Sequence, residues 1–175
     1  MALTANTVPS QVPDFIAPFD AQLAFTAAQV IAATGYLNNL NSGQVDFGGA
    51  NPSSGAGRKE GIWTLSISAI DFSSNDEVYK FHLFGSNDVA FGNGNVELLA
   101  FHDFAATAAL RQVATILGAT PTIPPTGLAG TQVKIPFTTL MQRIVYRYVR
   151  SYVVIAGTTP TVTVTSWVSR ATVQI

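Results

Sequence analysis

The sequence contains no cysteine, only two histidines, and little charge: Asp, Glu, Lys and Arg together make up 11% of its 175 residues. Each shortage narrows what the chain can do. Without cysteine there are no disulfides, no thiolate metal ligands and no cysteine nucleophile. Two histidines, His82 and His102, meet only the minimum of the two or three His that a jelly-roll metalloenzyme must converge with a carboxylate, which weakens that reading. His102 and Asp103 are adjacent, so on a strand they point to opposite faces and cannot grip one metal by simple alternation. The charge content is less than half the roughly 25% of an ordinary soluble chain. Such a surface is expected where much of the exterior faces another protein. The net charge of −1 gives no electrostatic footprint for nucleic acid or an anionic membrane.

Long apolar runs are also missing. No stretch of about 18 apolar residues exists, so no membrane-spanning helix is expected. The first six residues, Met-Ala-Leu-Thr-Ala-Asn, lack a basic start and an apolar centre and do not read as a signal peptide. No Gly-x-Ser-x-Gly elbow is present. Gly92-Asn93-Gly94 reads as a turn, because no lysine-bearing helix start follows it. Asp71, Asp76 and Asp88 flank turns, where they could hold calcium or cap their own backbone. No cofactor is expected.

What remains is rich in β signals. Residues 61–72 alternate, with Ile62, Thr64, Ser66 and Ser68 opposing Trp63, Leu65, Ile67 and Ala69. Residues 77–85 follow after a Ser-Ser-Asn-Asp turn, with Val78, Lys80, His82 and Phe84 opposing Tyr79, Phe81 and Leu83. Residues 96–104 come next and predict an antiparallel hairpin with the run before them. Residues 20–34 fit one or two strands through Leu23, Phe25, Ala27 and Gln29, although their alanines also suit a helix. A short strand is expected over 44–47, and an edge strand over 131–137 because of Pro136. Residues 105–117 predict one short helix, with Leu110, Val113 and Leu117 on one face.

The richest β signal comes last. Residues 143–156 and 161–172 flank Gly-Thr-Thr-Pro and predict a hairpin. In the first, Arg143, Val145, Arg147 and Val149 oppose Ile144, Tyr146, Tyr148, Arg150 and Tyr152, so one face should meet the core and the other a partner. The Arg–Tyr alternation superficially resembles a nucleic-acid platform, but the overall charge favours packing at an interface. Residues 1–19 carry Pro9, Pro13 and Pro18 and predict an extended N-terminal arm. Its apolar Val8, Phe15, Ile16 and Phe19 suit burial on a neighbouring subunit better than life as a solvated tail. The expectation is an all-β chain of about eight antiparallel strands, a jelly-roll β-sandwich over 20–175 preceded by the arm.

Three stretches carry a resemblance to a known family: Asp20-Ala21-Gln22, the run from Phe81 through Gly85-Ser86-Asn87-Asp88-Val89-Ala90-Phe91, and Arg147-Tyr148-Val149-Arg150 with Gly157-Thr158-Thr159-Pro160-Thr161. Together, over roughly residues 20–168, the sequence resembles the jelly-roll capsid cement, or decoration, proteins of tailed bacteriophages. The resemblance implies a non-enzymatic virion protein, made in the host cytoplasm. It further implies a homotrimer on the outside of an icosahedral head that clamps neighbouring major capsid subunits. Val8, Phe15, Ile16, Phe19, Arg143, Arg147, Tyr148 and Arg150 are the expected subunit or capsid contacts. Competing expectations are a tail or fibre component and a carbohydrate-binding β-sandwich using Trp63, Trp167 and Tyr36. A cupin-like metalloenzyme is weakened by the histidine count.

Overall fold

A computed structural model describes residues 15–16, 21–48, 58–92, 96–105, 129–170 and 172–173. The chain is all-β, with two short 3-10 turns at Ala21–Leu23 and Asn41–Gly43 as the described helical pieces. In chain order the strands are β1 Phe15–Ile16, β2 Ala24–Ile31, β3 Gly35–Tyr36, β4 Gln44–Asp46, β5 Glu60–Ile70, β6 Val78–Ser86 and β7 Val96–Ala105. They continue with β8 Gln132–Thr138, β9 Leu140–Met141, β10 Ile144–Val145, β11 Tyr148–Ala156, β12 Val162–Arg170 and β13 Thr172–Val173. The helix expected over 105–117 lies outside the described residues, apart from Ala105, which ends β7.

Two antiparallel sheets form a sandwich. One has the order β2-β12-β5-β8, and the other runs β3-β11-β6-β7 with β4 also on β11. Taking β3 and β4 as one interrupted strand, the orders read first-eighth-third-sixth and second-seventh-fourth-fifth. That is the jelly-roll order. Pro136 sits on β8, an edge strand, where its missing N–H leaves no central ladder broken.

Period two explains the core. Trp63, Leu65 and Ile67 of β5 face Tyr79, Phe81 and Leu83 of β6 across the gap, with Val149, Val153, Val164 and Val168 beside them. Phe81 meets Phe104 edge-on at 5.8 Å. The Trp63 indole N–H donates to Ser166 Oγ at 2.9 Å, so the buried ring keeps its polar atom satisfied.

One pairing differs from the sequence expectation. The last two long strands are not a hairpin: β11 and β12 lie in different sheets, and residues 157–161 carry the chain from one to the other. β5 and β6 are likewise split between sheets, by residues 71–77. These two crossings stand side by side and are bonded to each other. Asp71 N–H donates to Thr161 O at 2.9 Å, and Asp76 accepts from the Thr158 N–H and hydroxyl at 3.0 Å each. The buried Tyr79 hydroxyl lies 2.7 Å from Asp71 O and 3.0 Å from Thr161 O. Gly157 has φ 115° and passes so close to Glu77 that a Cβ would lie 2.7 Å from the Glu77 Cα.

Candidate interaction face

The outward face of the five-stranded sheet is where this molecule departs from an ordinary sandwich. Residues Tyr79, Phe81 and Leu83 of β6 turn inward, so Lys80, His82 and Phe84 turn out. On β11, Val149, Ser151 and Val153 turn inward, which sends Tyr148, Arg150 and Tyr152 outward. The register then lines rings up across four strands: Tyr36 pairs with Tyr152, Tyr152 with His82, and His82 with Phe101. The neighbouring row is Gln44, Arg150, Phe84 and Leu98.

A bulge completes this face. The β6–β7 register shifts between Leu83 and Phe84, leaving Leu99 as the extra residue. Leu98 and Phe101, three apart, therefore both lie on the outside, while Leu99 packs towards the core against Gly85. Phe101 is 61% exposed and Leu98 40%.

The rings hold one another. Tyr36 meets Tyr152 edge-on at 4.9 Å, Tyr152 lies 5.9 Å from Phe84, and Phe84 stacks on His82 at 5.6 Å. The Arg150 guanidinium carbon sits 4.8 Å from the Tyr36 ring centre and 5.2 Å from that of Phe91. Its Nε, like His82 Nδ1, is buried and has no hydrogen-bond partner among the described residues. Burial, with Lys80 nearby, holds the His82 imidazole below its ordinary pKa and so keeps it neutral near pH 7.

An ion pair borders this face. Arg147 binds Asp46 through two bonds, Nε at 2.8 Å and a terminal nitrogen at 2.7 Å, and lies 4.7 Å from the Tyr148 ring centre. The hydrogen bond from Arg147 leads the causes that lower the Asp46 pKa. Lys80 stands opposite Asp103 in the ladder.

The expected contact residues are distributed as follows. Tyr148 and Arg150 lie on this face, and Arg147 borders it. Arg143 does not belong to it. The expected single strand from 143 is broken: Gln142 and Arg143 form the β9–β10 turn with φ 49° and 70°, and β11 starts only at Tyr148. Phe15 and Ile16 form β1, which pairs with β13. Val8 and Phe19 lie outside the described residues.

Of the rings expected to stack on sugar, Trp63 is 0% and Trp167 4% exposed, so both are core; Tyr36 lies on the outward face. Asp71 and Asp88 cap their own turns, accepting from Ser73 N–H and from Ala90 and Gly92 N–H respectively. Among the described residues, no three His, Asp or Glu side chains gather to hold a metal ion. No described helix is long and apolar enough to cross a membrane.

Sequence reasoning missed Tyr36, His82, Phe84, Phe101 and Tyr152 as a group. The available signal was the presence of aromatic rings on both alternating faces of 77–85. The chain matches no known family model and no curated protein.

Proposed function

We propose that this protein is a structural, non-catalytic capsid cement protein of a tailed bacteriophage. It acts as a homotrimer on the outside of the head and clamps neighbouring major capsid subunits, residing in the virion after synthesis in the host cytoplasm. The observation that carries the reading is the aromatic row from Tyr36 to Phe101 on the outside of a jelly roll. A sandwich already has its core between the sheets, so a second layer of rings on an outer face has no folding role of comparable size. Burying the part of Phe101 and Leu98 still exposed would contribute about 0.5–2 kcal/mol each. Rings locked in place beforehand lose little side-chain entropy on docking. The paired charges around them give the rim that a specific interface needs.

The test is to add purified protein to undecorated heads and count bound copies. The wild-type chain should saturate at a fixed number per head. The double substitution Leu98→Glu with Phe101→Glu should keep the far-ultraviolet circular dichroism of the wild type and lose occupancy at least tenfold. Failure of the wild type to bind heads would overturn the reading. Specific binding on a glycan array would replace it with the sugar-binding alternative.

A further inference from the structure

Of the four rings in the outward row, Tyr36, Tyr152, His82 and Phe101, only His82 changes charge near neutral pH. Its imidazole lies flat on Phe84, with ring centres 5.6 Å apart and planes 11° apart, and Phe84 in turn lies 5.9 Å from Tyr152. His82 Nδ1 is shut off from water and has no hydrogen-bond partner among the described residues. A neutral imidazole carries one N–H, but an imidazolium carries an N–H on each nitrogen. Protonation at either nitrogen therefore leaves a charged donor at Nδ1 with nothing to receive it. A buried, unpaired charged donor costs far more than an unused neutral atom.

The surroundings offer the cation no relief. Lys80 lies on the same side of β6 as His82. On β11, Tyr152 stands opposite His82, Arg150 opposite Phe84 and Val154 opposite Lys80. On β7, Phe101 stands opposite His82, and the carboxylate of Asp103 stands opposite Lys80. Two cations and one carboxylate thus flank the ring among the described residues, and the carboxylate already faces a lysine. Turning the imidazole outward about its Cα–Cβ bond takes Nδ1 to water, and it also takes the ring off Phe84.

We propose that His82 is an acid-sensitive latch of the outward face: on protonation its ring leaves the stack on Phe84 for water, and the aromatic row loses its neutral-pH shape while the sandwich stays folded. The inference rests on the proposed function only for what docks on this face; under that reading, mild acid releases the protein from heads. Burial and Lys80 hold the imidazole neutral near pH 7, which keeps the row closed there.

The test is nuclear magnetic resonance on the isolated full chain, titrated from about pH 8 to pH 4.5. The chain has two histidines, so a His102→Gln variant leaves one imidazole signal to follow. The expected result is that the nuclear Overhauser contact between His82 and Phe84 fades along the His82 titration, with a midpoint below 6.5. The core contact between Phe81 and Phe104, whose rings lie 5.8 Å apart, should persist throughout. In His82→Gln the Phe84 and Tyr152 ring signals should no longer move with pH. A His82 that titrates with its Phe84 contact intact would overturn the latch. So would loss of the Phe81–Phe104 contact before His82 titrates, or the same movement of the Phe84 and Tyr152 signals in His82→Gln. No heads are present, so the two readings fail separately: a working latch on a protein that does not bind heads would leave the latch standing and sink the cement reading.

Discussion

Arg150 holds Tyr36 and Phe91 to the outside of β11, with its guanidinium carbon 4.8 Å from one ring centre and 5.2 Å from the other. One side chain thus fastens the β3 segment and the 88–92 turn to the central strand. Its Nε has no hydrogen-bond partner among the described residues and a terminal nitrogen donates to Ser42 O at 3.3 Å, so Arg150 gains ring contact and this one bond here.

Arg150→Ala should therefore lower stability by about 1–2 kcal/mol, through lost cation–π contact and lost packing of the stem. Arg150→Met should recover part of this by keeping the stem. Urea midpoints measure both. Equal midpoints for all three chains would show that the rings hold without the cation.

Arg147→Glu should set two carboxylates against each other at the Asp46 position and weaken the β4–β11 pairing. The pair is solvent-screened, so its direct contribution is small and the repulsion in the variant is the larger effect. Adding Asp46→Arg to Arg147→Glu should restore the midpoint. A double variant no better than the single one would show that the geometry, rather than the charge pairing, had been lost.

Tyr79→Phe leaves the Asp71 and Thr161 carbonyls without the hydroxyl that joins them, at a cost of about 1–3 kcal/mol. Burial pushes the Tyr79 pKa up to about 12 from the ordinary 10.0. The phenol's contribution is thus fully present below about pH 10 and is lost as pH rises towards 12, because the unfolded chain ionises first. The wild-type chain should lose more stability than Tyr79→Phe over that window.

His82 gives the opposite dependence. Its folded pKa lies below the ordinary 6.5, so the unfolded chain takes the proton first as pH falls. The full stability present above pH 6.5 should decline as pH drops through the folded value, and His82→Phe should remove this part of the slope. Denaturation midpoints at pH 7.5 and 5 for both chains decide it. Parallel slopes would mean that the ring stays hydrated beside Phe84.

The long strands were legible in the sequence because residues 61–72 and 77–85 repeat with period two and 96–104 form a compact run after a polar turn. Their partners were not. Ser, Asn, Gly and Pro mark a reversal of the chain, but the same residues serve a hairpin and a crossing between sheets, as at 157–160. The ambiguity of 20–34 also has a physical source. Ala28 has φ 46° and its N–H donates to Thr165 Oγ1, so β2 bulges against β12 and its alternation changes phase midway. The outward face was hidden for a related reason. β6 carries rings on both sides, and only the bulge at Leu99, with no marker of its own in the sequence, brings Leu98 and Phe101 to the same one.

The jelly-roll order also dictates when the molecule can form during synthesis. The central partners in both sheets, β11 and β12, are the last two long strands to leave the ribosome. Ile31 waits for Val162, and Tyr36 waits for Tyr152. Until then β6 and β7 are the main strands with a local partner, and β5 can pair only with β8. Nascent chains halted before residue 148 should bind ANS and be cut readily by protease, whereas released full-length chains should not. Folding dominated by such distant pairings is slow, on the order of milliseconds to seconds. During that interval the apolar β5 lies open along one edge, which makes rapid overproduction at high temperature the condition most prone to aggregation.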